Sequence, residues 1–185
     1  DSNIKTENND DSLLPSCLEL YGGVGTIGLN LHDLTSTLIC SDENPHNRSC
    51  FEKSVTHLLK LSTTNKTSDD KNISYIPKNA TDMVRKEKNL LNRAEILIVD
   101  PPRKGLDQAV TDSLITTASS SLQRNDGPKL LIYVSCGFDA FQKDCGQLLN
   151  SGLWKLAHAE GHILFPGSDA IETLAIFARN QCNTE

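Results

Sequence analysis

Leu130-Leu-Ile-Tyr-Val-Ser-Cys-Gly-Phe138 holds five apolar residues in unbroken succession, Leu130 to Val134, directly after Gly127-Pro128. A run without alternation, bounded by turn formers, is how a central parallel strand with both faces covered reads. Cys136 falls where that strand gives way to a loop. In open α/β sheets ligands bind at the carboxyl ends of the strands. A thiol at that place is either a nucleophile or one more small buried apolar group.

Outward from this strand the chain alternates strands and helices. Strands are expected at Cys17–Tyr21, Thr37–Asp42, Asn72–Ile76 and Glu95–Asp100, with two final ones at Trp154–Ala159 and Thr173–Ala178. Helices are expected at about Thr26–Leu34, from Pro45 to about Leu61, over Asp82–Leu91, from an Asp107 cap to about Leu122, and over Phe138–Asn150. In the last of these Phe138, Phe141, Cys145, Leu148 and Leu149 share one side. The polar stretch Ser62–Lys71 reads as a surface insertion, and the first residues, up to about 14, as disordered. Alternating elements predict an α/β domain with a mainly parallel sheet. The two final strands have no helical stretch between them, which predicts an antiparallel pair at one edge.

The 185 residues are 37% hydrophobic and 23% charged, which suits one globular domain. No run of 18 apolar residues occurs, so no membrane-spanning helix is expected. The polar start is not a signal peptide. The net charge of −6 opposes a stand-alone nucleic-acid binder. The six cysteines form no C-x-x-C pair, so metal-ligand spacing is absent and reduced thiols of an intracellular protein are the expectation.

Three further stretches carry candidate chemistry. Glu19-Leu-Tyr-Gly-Gly-Val-Gly25 places glycines directly after the first strand, where the backbone can approach a ligand. With Gly28 the spacing also fits the dinucleotide template, so the loop by itself does not separate a nucleotide from another adenosyl cofactor. Asp42, after the second strand, either holds ribose hydroxyls or caps the next helix; Glu43 favours the cap. Asp100-Pro-Pro-Arg-Lys-Gly105 fixes a carboxylate at a strand end by a stiff turn, and Arg103 and Lys104 either hold phosphate or stay solvated. Glu172, in Leu164-Phe-Pro-Gly-Ser-Asp-Ala-Ile-Glu-Thr173, is either a strand-edge carboxylate or a base.

In this order the four pieces resemble the catalytic domain of the RNA uracil-5 methyltransferases, which form 5-methyluridine in tRNA and rRNA. The resemblance runs over residues 16–179. It rests on Leu18 to Thr26, on Asp100 to Leu106 (Asp-Pro-Pro-Arg-x-Gly-Leu in full), on Tyr133-Val-Ser-Cys136, and on Phe165, Pro166, Glu172 and Thr173. It implies a Rossmann-like class I fold that binds S-adenosyl-L-methionine. It also implies Cys136 as nucleophile and Glu172 as base, with Asp100 between cofactor and target. Cofactor contacts are implied for Tyr21, Gly23, Gly25, Asp42, Asn79 and Asp100, while Arg103 and Phe138 are the candidate substrate contacts.

The chain departs from the family in three places. Gly137-Phe138 replaces Asn-Pro after the cysteine. Ala170 stands where a histidine is usual. Asn79 replaces an aspartate expected to face adenine. For Phe138 a core role competes with stacking on a base. The family's upstream RNA-binding portion and its Phe-Gln-x-Asn segment are not in the sequence. Residues 15–185 are therefore expected to be the catalytic part of a longer monomeric protein whose RNA grip lies mainly upstream, so that this part alone binds RNA poorly. Two other readings stay open: a nucleic-acid amine methyltransferase, disfavoured because Arg103 stands where that class has an aromatic residue, and a non-catalytic cofactor- or RNA-binding scaffold.

Overall fold

The computed structural model describes residues 14–61, 72–116, 127–164, 166–167 and 171–180. The first 13 residues, the polar insertion at 62–71, residues 117–122 of the expected fifth helix, and Phe165, Ala170 and Cys182 lie outside them.

Among the described residues seven strands form one sheet: β1 (Ser16–Leu20), β2 (Thr37–Ser41), β3 (Asn72–Ile76), β4 (Ile96–Val99), β5 (Leu130–Ser135), β6 (Trp154–His162) and β7 (Glu172–Arg179). Their order is β3-β2-β1-β4-β5-β7-β6. The first five run parallel, and β7 enters antiparallel between β5 and β6. The sheet reverses direction of growth between β1 and β4, the switch point at which open α/β sheets bind ligands.

Among the described residues six α-helices flank it: α1 (Thr26–Asn30), α2 (Asn47–Leu61), α3 (Ala80–Lys86), α4 (Lys88–Arg93), α5 (Gln108–Ile115) and α6 (Phe138–Asn150); a 3-10 turn, His32–Leu34, follows α1 where one helix to about Leu34 is expected. On one face Met83, Val84, Leu91, Val110, Leu114, Phe141 and Leu148 pack on Leu18, Leu97, Val99, Leu131, Tyr133 and Phe177. On the other, Leu29 and Phe51 pack on Cys17, Cys40 and Ile98. The central strand β4 has no exposure at Leu97, Ile98 or Val99, as its unbroken apolar run requires.

β5 is interior but parallel only to β4. Its residues alternate, with Leu131, Tyr133 and Ser135 buried and Leu130, Ile132 and Val134 partly so. α5 and α6 cover the buried set. β6 is an edge strand, longer than expected and exposed beyond Trp154, with a bulge between Leu156 and His158. Trp154 anchors it by donating from its indole nitrogen to the Leu114 carbonyl at 2.9 Å.

Three further helix expectations are corrected. The helix expected over 82–91 is two. Asn79 caps α3 by accepting the Asp82 N–H at 2.7 Å, and the chain breaks at Glu87, whose carboxylate pairs with Lys78. α5 stops at Ile115, and Thr116 after it is extended; β-branched Thr116 holds a helix weakly. Asp107 occupies the cap position of α5 without a side-chain cap bond. On α6 the buried set is Phe141, Asp144 and Leu148, whereas Phe138 and Leu149 are exposed. Phe138 is the first residue of the helix and stands clear of the core.

Asp144 is a buried carboxylate on α6. One of its oxygens accepts the Tyr133 hydroxyl at 2.7 Å and the Leu106 N–H at 2.8 Å. It thereby ties β5 and the segment after β4 to one helix. Removing it in Asp144→Ala strands two buried donors. We expect a loss of about 2–4 kcal/mol of unfolding free energy, measured by urea denaturation. Stability within 0.5 kcal/mol of wild type would contradict this.

Candidate active site

The glycine loop leaves β1 in an unusual conformation. Tyr21 has a positive φ of 58°, as do Gly23 and Gly25. Gly25 needs its missing side chain twice over: its φ is 80°, and a Cβ would lie 2.6 Å from the Phe51 ring. The Tyr21 hydroxyl donates to the Asp107 carboxylate at 3.2 Å and accepts the Asp107 N–H at 3.0 Å. That side chain is why Asp107 does not cap its helix. It joins the loop after β1 to the loop after β4, and its other oxygen receives Lys104 at 2.9 Å.

Asp42 ties the loop after β1 to the turn before α2. One oxygen accepts the Gly23 N–H at 3.1 Å, and the other accepts the Asn44 N–H and the Asn47 side-chain amide in the turn before α2. Tyr21, Asp42, Asn79 and Asp100 come together around one cleft of about 340 Å³, with Glu43, Ala80, Pro102, Lys104 and Asp107. Gly23 and Gly25 shape the loop beside it, and the acceptor of Asn79 is engaged in its cap. Glu43, assigned to helix capping from sequence, lines the cleft.

Four carboxylates, Asp42, Glu43, Asp100 and Asp107, thus face a cleft whose one lining cation, Lys104, is paired to Asp107. Asp100 as a residue is exposed, yet its carboxyl sits above its ordinary pKa, first through lost hydration and then through the charge of Glu172. Such a donor set fits a ligand with hydroxyl groups and a positive centre.

Beneath the loop lies a residue with no assigned role in the sequence reading beyond its motif. Glu19 is fully buried and accepts the Gly28 N–H at 3.2 Å. Burial pushes its pKa up to about 7, against the opposing effects of Gly28 and the Cys40 thiol. Its position in β1, next to a glycine loop, was visible in sequence; its complete burial was not.

The second half of the site is the turn after β5. The Ser135 hydroxyl accepts the Gly137 N–H and donates to the Gly137 carbonyl, both at 3.2 Å, folding the chain around Cys136. Cys136 is a partly buried free thiol. A Cβ on Gly137 would stand 2.5 Å from the Arg103 carbonyl oxygen. Glycine at this position is therefore what lets the Asp-Pro-Pro-Arg segment press against the cysteine turn. Arg103 and Phe138 are both exposed beside that contact.

β5 and β7 pair from Leu130–Ala178 through Ser135–Thr173. Cys136 and Glu172, the partly buried first residue of β7, are the next residue on each chain segment. The charge of Glu172 also acts on Asp100. Cys136 and Glu172 are not among the residues that line the cleft holding Asp100.

Sheet order and site describe the class I methyltransferase fold. Among solved structures the chain resembles the Pyrococcus abyssi tRNA (uracil-54, C5)-methyltransferase in complex with S-adenosyl-L-homocysteine. The TM-score is 0.63 and the identity 20%, over 90% of this chain and 36% of that one. It also resembles Mycoplasma capricolum TrmK bound to S-adenosyl-homocysteine, with a TM-score of 0.58 and 14% identity over 90% of this chain and 63% of that one. No model of a known protein family matches the chain. In sequence it is 39% identical over 162 residues to an uncharacterized RNA methyltransferase of Protochlamydia amoebophila, covering 88% of this chain and 37% of the relative. It is 27% identical over 165 residues to the 23S rRNA (uracil(747)-C(5))-methyltransferase of Shewanella baltica, covering 89% and 36%. The chain is thus similar to RNA methyltransferases, a uracil-C5 methyltransferase among them, and spans a little over a third of the length of these two relatives.

Glu19 gives a test of the buried site. Its ordinary pKa is 4.5 and its folded value about 7. Between those values the unfolded chain releases a proton that the folded chain keeps. Stability attributable to Glu19 is therefore present below pH 4.5, falls as pH rises to about 7, and is level above it. Relative to Glu19→Gln, the wild type should lose on the order of 3 kcal/mol across that window. Urea denaturation of both proteins at its two ends measures this. A difference independent of pH would contradict the burial of a titrating carboxyl.

Proposed function

We propose that the protein transfers a methyl group from S-adenosyl-L-methionine to carbon 5 of a uridine in tRNA or rRNA, through a covalent adduct of Cys136 at carbon 6. The observation that carries this is the β5–β7 pairing: its last pair is Ser135–Thr173, so Cys136 and Glu172 are the next residue on each chain segment at the carboxyl end of β5. The names of the relatives support RNA as the substrate and carbon 5 of uracil as the position.

The cofactor supplies, when bound, a methyl group on a positively charged sulfur. The acidic cleft favours that charge, and Tyr21, Asp42, Asn79 and Asp100 are the side chains available to hold its polar groups, with the loop at Gly23 and Gly25 giving close backbone approach. Carbon 5 of uracil is a poor nucleophile. The Cys136 thiolate adds to carbon 6, and the displaced π electrons pass to the carbonyl oxygen at carbon 4. Carbon 5 is then nucleophilic and takes the methyl group, the methyl–sulfur bond breaking so that the sulfonium would be left as a neutral thioether. The Glu172 carboxylate removes the proton left on carbon 5, the double bond re-forms, and the bond from carbon 6 to sulfur breaks. Asp100, on the cleft wall and within the field of Glu172, orients the two halves toward each other.

The target base has to leave its stack to reach a thiol on a strand end. Arg103 is an exposed cation beside the cysteine turn and suits a phosphate. With a net charge of −6 the chain leaves most of the phosphate grip to the remainder of the protein. We take residues 15–185 as one methyltransferase domain acting as a monomer. Among the described residues no helix is long and apolar enough to cross a membrane.

The test uses the full-length protein, methyl-labelled S-adenosyl-L-methionine and cellular RNA. Cys136→Ala should abolish label in 5-methyluridine. Glu172→Gln should slow turnover by about 10²–10⁴-fold and accumulate protein–RNA adduct that survives denaturation. Undiminished labelling in Cys136→Ala would sink the covalent mechanism and favour amine methylation.

A further inference from the structure

Phe138 is 52% exposed although it is a large aromatic residue two positions from the proposed nucleophile. It leans on Phe141 at a centroid distance of 6.3 Å and leaves its other side open to solvent. Its neighbours sharpen the point. Gly137 admits the Arg103 backbone, so an exposed cation and an exposed ring flank Cys136 together. Ile163, Leu164 and Ile171, exposed by 69%, 61% and 43%, stand at the same end of the sheet beside Glu172. An apolar rim of this kind around a polar thiol–carboxylate pair marks a binding surface.

We propose that Phe138 is a stacking platform for the nucleobase next to the target uridine, in a single-stranded or looped stretch of RNA. The inference rests on the reaction proposed above. When a uridine leaves its stack, the adjoining base loses the partner on one face. An aromatic ring restores that partner whatever the base, because every base has a π-face. Arg103 then meets the phosphate between the two nucleotides. Gly137-Phe138 thus exchanges a polar contact to the target for an apolar contact to its neighbour.

The test needs no turnover. Full-length protein is mixed with a short single-stranded RNA carrying a central uridine with 5-iodouridine beside it. Long-wavelength irradiation then joins the iodinated base to an aromatic ring stacked on it, and peptide mass mapping identifies the ring. The wild type should cross-link at Phe138, and Phe138→Trp should cross-link at the same position. Phe138→Ala should lose the cross-link and bind the RNA about tenfold more weakly, with unchanged affinity for S-adenosyl-L-methionine in all three. No cross-link at position 138 in the wild type, or unchanged RNA affinity in the alanine variant, overturns the stacking site. A cross-link at Phe138 in a protein that leaves uridine unmethylated overturns the reaction and keeps the stacking site.

Discussion

One buried carboxylate oxygen holds the two halves of the site together. Asp144 on α6 accepts the Tyr133 hydroxyl from β5 and the Leu106 N–H from the segment after β4. Tyr133 lies three residues before Cys136, and Leu106 six residues after Asp100. The same helix, α6, begins at Phe138, directly after the cysteine turn. Because the three elements meet at one acceptor, the Asp-Pro-Pro-Arg segment is pressed onto the turn at Gly137, where no side chain fits. Two prolines stiffen the segment from within, and Tyr21 secures its far end through Asp107. The geometry of Asp100 relative to Cys136 is thus a consequence of core packing and not of loop chemistry alone.

The electrostatics run the same way. The carboxyl ends of β1, β2 and β4 gather Asp42, Glu43, Asp100 and Asp107, and β7 adds Glu172 at the border. Negative charges that repel one another are costly to collect without a partner. Hydrogen bonds satisfy part of this collection, with Asp42 bound to Gly23 and Asp107 bound to Tyr21 and Lys104. A positively charged ligand offsets the rest. Glu19 shows the limiting case, since full burial favours its neutral form up to about pH 7.

Much of the fold was legible because its signals are local. The unbroken apolar runs of β4 and β5, the glycines after β1, and the helix-free link between the last strands each speak for themselves. Of the proposed site residues, Tyr21, Asp42, Asn79 and Asp100 share a cleft, and Cys136 and Glu172 lie next to the last β5–β7 pair. What sequence reasoning missed is set across the sheet. Asp107 read as a helix cap because nothing nearby announces that Tyr21, 86 residues away, takes its side chain. Gly137 read as a departure from the family until the Arg103 carbonyl was found against it. Phe138 fitted the helical periodicity of a core face, yet periodicity says nothing of where a helix overruns the sheet that covers it. The chain breaks between α3 and α4 at Glu87, which pairs with Lys78, a contact that no local pattern encodes.

The central claim is that the thiol at the end of β5 is the nucleophile. The most direct measurement incubates full-length protein with S-adenosyl-L-methionine and RNA made with 5-fluorouridine in place of uridine. Fluorine on carbon 5 cannot leave as a proton, so Glu172 has nothing to remove and the bond to carbon 6 persists. Denaturing electrophoresis followed by peptide mass mapping should find the nucleotide attached to Cys136. Absence of any adduct while the protein still binds S-adenosyl-L-methionine, or attachment at another cysteine, would contradict the account.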